Sequence, residues 1–231
     1  MSEWDDLAPW WIDEVTDPAY ADDVQPVVDK LLIGVDGPAL DLGCGDGRLA
    51  SSLPEPVIGC DLSMELLKAA RGGGVSVVQC HLPDLEWARP DSFGLAVACL
   101  VLEHIPDAIG FFESVGRVVR PEGALVLVAN HPAFTSGGAG PVIDQSDGEV
   151  MWRWGTYLVD SIAAEPAGDG SVVFHHRSLA GLLSQAARSG WVLEEMIEAG
   201  ASQTSIARVP ALQGQEHMPR LVGMRWRQPT K

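Results

Sequence analysis

Short apolar runs alternate with segments of helical spacing through the middle of the chain. Five runs have the length and composition of buried strands, namely 38–43, 56–61, 75–80, 93–102 and 124–130. The fourth, FGLAVACLVL, is apolar without alternation, which is typical of a parallel strand covered on both faces. Strands that alternate with helices at this spacing predict βαβ units and a parallel sheet.

The segments between these runs carry helix signals. The predicted helices cover residues 17–32, 46–53, 63–72, 107–120 and 178–190. Pro26 interrupts the first of them, and Ser63 is a predicted N-cap for the third. Gly72 is its predicted stop, and Gly190 stands where a C-terminal cap belongs in the last.

The alternation breaks at residues 131–170, which are rich in Gly and Pro and contain the segment MWRWGTYL. It resumes with SVVFHH, a helix and two strand-like stretches, WVLEEMIE and RLVGMRW. The pattern predicts one doubly wound α/β domain over residues 1–231 with a small cap insertion. Its expected parts are an N-terminal helical cover (1–35), a core (36–130), the cap (131–170) and the C-terminal part of the sheet (171–231).

A glycine-rich turn follows the first predicted strand. In ALDLGCGDGRLA, Gly43, Gly45 and Gly47 come directly after the strand, and Asp61 ends the second strand 18 positions after Gly43. In a doubly wound sheet, ligands bind beyond the carboxyl ends of the strands, where strand order reverses. A carboxylate there accepts hydrogen bonds from both hydroxyls of a ribose. The combination predicts a nucleoside site.

The spacing of the glycines in the turn distinguishes a dinucleotide from a sulfonium cofactor. The dinucleotide fingerprint is G-x-G-x-x-G, but here the third glycine comes one residue early and Arg48 occupies its place. Asp41 precedes the first glycine, and a carboxylate suits an ammonium and a sulfonium better than a pyrophosphate. The turn DLGCGDG resembles the first motif, E/D-x-G-x-G-x-G, of class I S-adenosylmethionine-dependent methyltransferases. In that family the loop wraps the methionine part of the cofactor.

Further segments resemble the ubiquinone/menaquinone-biosynthesis-like subgroup, methyltransferase type 11, over roughly residues 4–226. They are VIGCDLSMELLKAA, the stretch from DSFGLAVACLVLEHIPD to PEGALVLVAN, the late HHRSLAGLLSQAARSGWVLEEMIE and the opening WDDLAPWW. The resemblance implies a Rossmann-like, mostly parallel seven-stranded sheet with an antiparallel last strand and helices on both faces. It also implies S-adenosyl-L-methionine as cofactor and S-adenosyl-L-homocysteine as product.

The same resemblance implies a set of cofactor-binding residues, with Asp61 as the ribose ligand and Leu62 near adenine. The set is Trp11, Asp41, Gly43, Cys44, Gly45, Gly47, Asp61, Leu62, His81, Leu82, Cys99 and Leu100. Three positions depart from the family pattern. His81 stands where the family often has an Asp for the adenine amino group, Gly94 replaces an Asp, and Glu122 replaces a glycine.

Two histidines are candidate catalytic residues because a neutral imidazole takes a proton near neutral pH. His104 follows the fourth strand at the cofactor edge, and its alternative role, ordering the loop, is equally well supported. His131 follows the fifth strand, and a turn role before Pro132 is favoured for it. Quinone-precursor O-methyltransferases carry E-x-x-E-H here as metal ligands, but Leu100 replaces the first acid, so no metal is expected.

Aromatic residues cluster in the two predicted covers. Trp152, Trp154 and Tyr157 fall in the cap, and Trp10 and Trp11 in the N-terminal segment. Aromatic walls suit a small apolar ligand and exclude water, although packing of the cap on the sheet explains any single one. We expect methyl transfer to a small aromatic or hydrophobic metabolite, with oxygen favoured over nitrogen or carbon.

Three other interpretations stay open from the sequence alone. The chain binds the cofactor without transferring methyl, as a sensor or an unusual cyclase. It acts on a protein or a transfer RNA. More remotely, it is a nicotinamide dehydrogenase.

The net charge and the cysteine content limit the classes of binding partner and of cellular compartment that we expect. The chain has 32 acidic and 15 basic residues, a formal net charge of −17, which repels phosphate backbones and anionic lipid. No apolar stretch approaches the ~20 residues of a membrane helix, and the acidic N-terminus lacks a signal-peptide pattern. The four cysteines have no zinc spacing and fall in or beside apolar runs. We expect a cytoplasmic protein with a small-molecule substrate, and the sequence leaves its oligomeric state open.

Overall fold

The computed structural model describes residues 3–14 and 20–230. The α-helices are α1 (Glu3–Glu14), α2 (Gln25–Leu31), α3 (Met64–Gly72), α4 (Ala108–Val118), α5 (Pro132–Thr135), α6 (Leu179–Arg188) and α7 (Gln203–Arg208). The strands are β1 (Ala39–Leu42), β2 (Val57–Asp61), β3 (Ser76–Gln79), β4 (Phe93–Cys99), β5 (Val119–Asn130), β6 (Gly140–Ile143), β7 (Val150–Arg153), β8 (Ser161–Ala167), β9 (Gly170–His176), β10 (Val192–Ala199) and β11 (Leu221–Arg227). Within those residues, no helix combines the length and the apolar character needed to cross a membrane.

Seven strands form one sheet in the order β10-β11-β5-β4-β1-β2-β3. Strands β1 to β5 pair in parallel, whereas β11 runs antiparallel to both of its neighbours. This confirms the expected mostly parallel sheet with an antiparallel last strand. Strand order reverses at β1, so the gap between β1 and β4 is the place where such folds bind ligands.

Both faces of the sheet are covered, as the unbroken apolar sequence of β4 predicts. Ala96 and Ala98 belong to the core formed with α4 and α6. Leu95 and Val97, at the alternate positions, belong to the core formed with α2. Because successive side chains of a strand point to opposite faces, this division requires a helical layer on each side.

The helix predictions are correct where a cap is present and wrong after the glycine turn. Ser63 caps α3, its Oγ accepting a hydrogen bond from the Leu66 N–H at 3.2 Å. Gly190, with φ +90°, ends the α6 segment. The helix predicted at 46–53 is absent; one 3₁₀ turn covers Ala50–Ser52 instead. The segment is short and Pro54 follows it, which forces the preceding residue into an extended conformation.

The first predicted helix is also divided. Residues 17–19 lie outside the described part, Tyr20–Val24 form a π-helical turn, and α2 begins at Gln25. Pro26 therefore lies in the first turn of α2, where its missing N–H costs nothing. The residue that seemed to interrupt the helix starts it.

The cap consists of α5 and two antiparallel hairpins, β6–β7 and β8–β9. The strand predicted at 171–176 is present as β9, but it pairs with β8 and not with the main sheet. The hairpin therefore crosses residue 170, at which the sequence pattern divides the cap from the C-terminal part. The division of the chain into a cover, a core and a cap stays a prediction.

Candidate active site

A cavity lies at the carboxyl ends of β1 and β4, beneath α1. In register, Leu42 of β1 lies beside Cys60 of β2 and Ala98 of β4, so the three strands end level with one another. Loops that follow these strands therefore meet at one edge. The lining residues are Trp4, Trp11, Gly43, Gly45, Asp61, Leu66, Cys99, Leu100, Val101 and His104.

The glycine turn forms the floor of this cavity. Gly43 has φ +68°, and a Cβ atom there would lie 2.5 Å from Cγ2 of Val101. Only glycine satisfies both the left-handed backbone and the close approach. The N–H groups of Gly43 and Cys44 donate to the Cys60 carbonyl oxygen at 2.7 and 3.0 Å, which holds the turn against β2.

Asp61, at the end of β2, ties the turn to the start of α3. Its Oδ2 accepts a hydrogen bond from the Gly45 N–H at 2.9 Å, and its Oδ1 accepts one from the Ser63 N–H at 2.8 Å. Burial raises the pKa of Asp61, and these backbone donors offset part of that rise. Each carboxylate oxygen retains a further lone pair for a ligand in the cavity.

Asp41 is a buried carboxylate with one unsatisfied hydrogen-bond acceptor. Its side chain is in β1, it is 2% exposed, and its Oδ2 has no hydrogen-bond partner among the described residues. Burial, reinforced by the charges of Asp61 and Asp46, raises its pKa to about 7. A buried carboxylate without a partner is unfavourable, so a cationic ligand beside it would be stabilising.

The N-terminal helix α1 forms the roof of the cavity. Trp11 lines it, and the buried indole Nε1 of Trp11 has no hydrogen-bond partner within the part that the structure describes. The Arg48 guanidinium lies 5.3 Å from the Trp11 ring and 5.0 Å from the Tyr20 ring, and it pairs with Asp46 at 3.0 Å. These contacts attach the roof to the glycine turn.

His104 lies at the inner end of the cavity, on the short turn after β4. Leu100, with φ +57°, turns the chain out of the strand. The His104 Nδ1 donates a hydrogen bond to the Val173 carbonyl oxygen of β9 at 2.9 Å, and the ring contacts Phe174 at 4.8 Å between centroids. Because a carbonyl only accepts, the proton is on Nδ1, and the neutral ring has an unprotonated Nε2.

Arg177 holds the same turn in place. Its guanidinium donates to the carbonyl oxygens of Leu102 at 3.4 Å, Ile105 at 2.5 Å and Pro106 at 2.7 Å. Burial lowers the pKa of Arg177, with nearby acids opposing the change. The turn that carries His104 is therefore anchored to the residue that follows β9.

A second cavity of about 1090 Å³ lies beneath the cap. Trp10 of α1 forms part of its wall, and Phe174 lines it while its ring contacts that of His104. The two cavities therefore meet at the His104–Phe174 pair. The lining residues are Trp10, Asn130, Phe134, Thr135, Ser136, Gly137, Gly138, Ala139, Gly140, Pro141, Trp152, Ala163, Glu165, Pro166, Ala167, Val172 and Phe174.

Comparison with known proteins decides what kind of site this is. Residues 40–127 match the type 11 family model described as a methyltransferase domain. An S-adenosylmethionine-dependent methyltransferase from Mesorhizobium loti has a TM-score of 0.75 and 29% identity, over 87% of this chain and 96% of that one. The chain is therefore similar to the class I S-adenosylmethionine-dependent methyltransferases, in sequence over residues 40–127 and in its fold. This confirms the family that the sequence motifs resemble, and with it the cofactor of the class.

Other relatives agree at lower coverage or identity. The chain is 38% identical over 98 residues to a ubiquinone biosynthesis O-methyltransferase of Xanthomonas oryzae pv. oryzae, a match that covers 38% of this chain and 41% of the relative. The corresponding protein of Aliivibrio fischeri is 32% identical over 93 residues, or 36% of this chain and 40% of the relative. The chain thus spans about two fifths of the curated relatives that it matches. A putative methyltransferase from Listeria monocytogenes shares the fold, with a TM-score of 0.76 and 21% identity over 91% of this chain and 98% of that one.

The structure brings part of the predicted cofactor set into the first cavity. Seven predicted residues line it, namely Trp11, Gly43, Gly45, Asp61, Cys99, Leu100 and the catalytic candidate His104. Six do not line it, namely Asp41, Cys44, Gly47, Leu62, His81 and Leu82. His81 is exposed in the turn after β3. The roles of both groups stay predictions.

The predicted substrate-binding residues are likewise only partly in a cavity. Trp152 lines the cap cavity, where its Nε1 donates to the Ala133 carbonyl oxygen at 3.0 Å. Trp154 does not line it and is 56% exposed. The Tyr157 hydroxyl accepts a hydrogen bond from the Leu179 N–H at 3.1 Å, which attaches the cap to the start of α6.

His131 lies in a turn, with both ring nitrogens engaged. Its Nδ1 accepts a hydrogen bond from the Ala133 N–H at 3.0 Å and caps α5, and its Nε2 donates to Glu198 at 2.8 Å. Burial lowers the pKa of His131, and Glu198 opposes that change. This geometry suits the turn role that the sequence favours before Pro132.

Glu103, the acid next to His104, has a structural role. Glu103 is buried, and its Oε1 accepts hydrogen bonds from the Asn130 side-chain amide at 2.8 Å and backbone N–H at 3.3 Å. Among the described residues, no group of three or more His, Cys, Asp and Glu side chains is arranged to hold a metal ion.

Sequence reasoning missed several residues of the two cavities. Trp4 lines the first cavity beside His104, with ring centroids 5.1 Å apart. Trp4 and Trp11 are spaced i, i+7, with Leu7 and Ala8 between them, so the helical period was a usable signal. Phe134, Phe174 and Glu165 of the cap cavity carry no comparable motif, since they face the cavity only through the pairing of cap elements.

Proposed function

We propose that this chain transfers the methyl group of S-adenosylmethionine to a small organic acceptor, with oxygen as the favoured atom. The observation that carries the proposal is the junction at His104. A cavity at the nucleoside-binding edge and a separate aromatic cavity under the cap meet at one imidazole. The curated relatives that the chain matches are named O-methyltransferases, which favours oxygen.

The first cavity offers what the groups of this cofactor require. Asp61 is placed to accept hydrogen bonds from the ribose hydroxyls, and Asp41 supplies negative charge for the ammonium of the methionine part. The unpartnered Nε1–H of Trp11 offers a donor to a carboxylate. Gly43 and Gly45 keep this space clear, because a Cβ at either position would approach Val101 or Trp11. When bound, the cofactor supplies a methyl group on a positively charged sulfur, which is a good leaving group.

The chain's main task in the reaction is alignment. Placing the acceptor oxygen in line with the methyl carbon and the sulfur supplies much of the rate acceleration, about 7–11 kcal/mol in well-aligned systems. With both molecules bound, the new C–O bond would form as the C–S bond of the cofactor broke, and the electron pair of that bond would leave with sulfur. Trp10, Trp11 and Phe174 exclude water from this junction.

His104 is the proposed general base for a hydroxyl acceptor. Its Nε2 is unprotonated because the Val173 carbonyl fixes the proton on Nδ1. With donor and acceptor bound, Nε2 would take the hydroxyl proton of the acceptor. A base so placed adds about 10²–10⁴-fold to the rate.

Calorimetry and product formation test this function together. We expect S-adenosylmethionine and S-adenosylhomocysteine to bind the folded protein, and a panel of phenolic acceptors to yield S-adenosylhomocysteine. His104→Ala should lower kcat about 10²–10⁴-fold with unchanged cofactor affinity, because the base acts only in the chemical step. His104→Gln, which keeps a donor for the Val173 carbonyl, is the matched control for loop order and should be equally impaired.

Each alternative gives a different result in the same experiment. No binding by a folded sample would overturn the proposal. Binding without product for any acceptor would instead support a sensor or a cyclase. Full activity of His104→Ala would contradict the general-base role, and activity kept by His104→Gln but lost by His104→Ala would show that the imidazole only orders the loop.

A further inference from the structure

The inward face of the β8–β9 hairpin carries one charged residue among apolar ones. The strand register pairs Ala163 with Phe174 and Glu165 with Val172, and paired residues project to the same side. All four line the cap cavity, as does Ala167 at the next inward position. Glu165 is therefore placed on the cavity wall by the strand alternation itself.

This placement runs against the ordinary pattern of a two-sided hairpin. Ile162, at a position of opposite phase, is 71% exposed on the outer side, whereas Glu165 has the phase of the cavity wall. Folding alone favours the reverse arrangement, with the apolar side chain facing the protein. The Glu165 side chain is exposed and makes no ion pair or hydrogen bond with the residues that the structure describes. Its carboxylate is thus available to a ligand.

Aromatic rings supply the rest of the wall. The aromatic lining residues are Trp10, Phe134, Trp152 and Phe174. No Lys, Arg or His belongs to the lining in the described part of the chain. Two arginines lie near it but outside: Arg220 packs 4.9 Å over the Phe134 ring, and Arg153 donates to the Gly138 carbonyl oxygen at 2.7 Å. The ionisable group of the cavity wall is therefore a carboxylate, and aromatic faces lie beside it. The carboxylate and the aromatic faces each attract cations.

We propose that the acceptor molecule carries a positively charged amino group, bound by Glu165, on an aromatic or apolar body held by Trp10, Trp152 and Phe174. This inference rests on the proposed function, because it takes the cap cavity as the acceptor site. The charged group lies away from the methylated atom, since a protonated amine has no lone pair to accept a methyl group. A hydroxyl at the other end of the molecule reaches His104.

Three probes of matched shape test the charge preference. Phenethylamine, phenethyl alcohol and hydrocinnamate are titrated into protein saturated with S-adenosylhomocysteine, whose binding is measured first. We expect the amine to bind about tenfold more tightly than the alcohol, and the carboxylate more weakly than the alcohol. Glu165→Gln should reduce the amine to the affinity of the alcohol. Glu149→Gln, an exposed cap residue outside the cavity lining, should leave the preference unchanged.

Failure of this inference and failure of the proposed function are separable. Absence of S-adenosylhomocysteine binding counts against the function itself. Normal cofactor binding overturns the inference alone if the alcohol or the carboxylate binds as tightly as the amine. The same holds if Glu165→Gln keeps the amine preference, or if none of the three probes binds.

Discussion

At the scale of single residues, Asp41 shows how a fold can hold a group that is unfavourable until a ligand arrives. Burial, with Asp61 and Asp46 nearby, raises its pKa from the ordinary 3.8 to about 7. The folded protein therefore holds this proton below pH 7, whereas the unfolded chain has released it. The contribution of Asp41 to stability consequently falls as pH rises from the unfolded pKa through the folded one. A neighbouring cation reverses this preference by stabilising the carboxylate.

The affinity for S-adenosylmethionine should therefore depend on pH. Lowering the pH protonates Asp41 in the free protein, so binding of the ammonium must displace a proton. We expect the Kd to rise by roughly tenfold or more from about pH 7.5 to about pH 5.5, a range below the pKa of the ligand's own amino group. Calorimetric titration across that range measures the effect.

Two variants test whether the pH dependence of the cofactor Kd comes from the Asp41 carboxyl group. Asp41→Asn should bind the cofactor more weakly than the wild type at pH 7.5, with a Kd that hardly changes with pH. Asp36→Asn, an exposed acid paired with Arg120 away from the site, should behave like the wild type. An unchanged pH dependence in Asp41→Asn would contradict the role of this residue.

At the scale of elements, the sequence predicts the sheet well because each strand end carries a local signal. The apolar run of β4 and the glycines after β1 predict where the strands stop, and level strand ends then bring Gly43, Asp61 and Cys99 together. The helix predicted at 46–53 is absent because Gly47, with φ +83°, and Pro54 leave only residues 48–53 between them, which is less than two helical turns. The spacing of the apolar residues alone does not indicate how much chain is available for a helix here.

The turn after β4 depends on a residue distant in sequence, which local patterns do not reveal. Arg177 binds three carbonyl groups of residues 102–106 and so fixes His104 against β9. Arg177→Met should lower kcat about ten- to hundredfold through misplacement of the base, with little change in cofactor affinity. Arg177→Lys should recover only part of the loss, since an ammonium lacks the planar fork.

A split between kcat and cofactor affinity separates positioning from a general loss of structure. In Arg177→Met we expect a lower kcat with an unchanged Kd for S-adenosylhomocysteine and little change in the thermal midpoint. Arg120→Met, which removes an exposed ion pair at the opposite edge of the sheet, is the control and should keep the wild-type kcat. Losses of thermal stability and of cofactor binding in Arg177→Met that match the loss of kcat would contradict a positioning role.

At the scale of the whole molecule, the covers determine what the site can do. Helix α1 contacts both cavities, with Trp11 above the cofactor cavity and Trp10 against the cap. Gly168 of the β8–β9 turn lies so close to Trp10 that a Cβ there would be 2.9 Å from its Cγ. The sequence predicts that two aromatic covers exist. It does not predict which rings face the cavity, because that depends on how α1 and the hairpins pack together.

The central claim is that methyl transfer takes place where the two cavities meet, and a crystal structure with S-adenosylhomocysteine tests it most directly. The account predicts the ribose hydroxyls on Asp61, the amino group toward Asp41, and the sulfur facing the cap cavity beside Nε2 of His104. A sulfur that points away from His104, or is separated from the cap cavity by protein atoms, would contradict it.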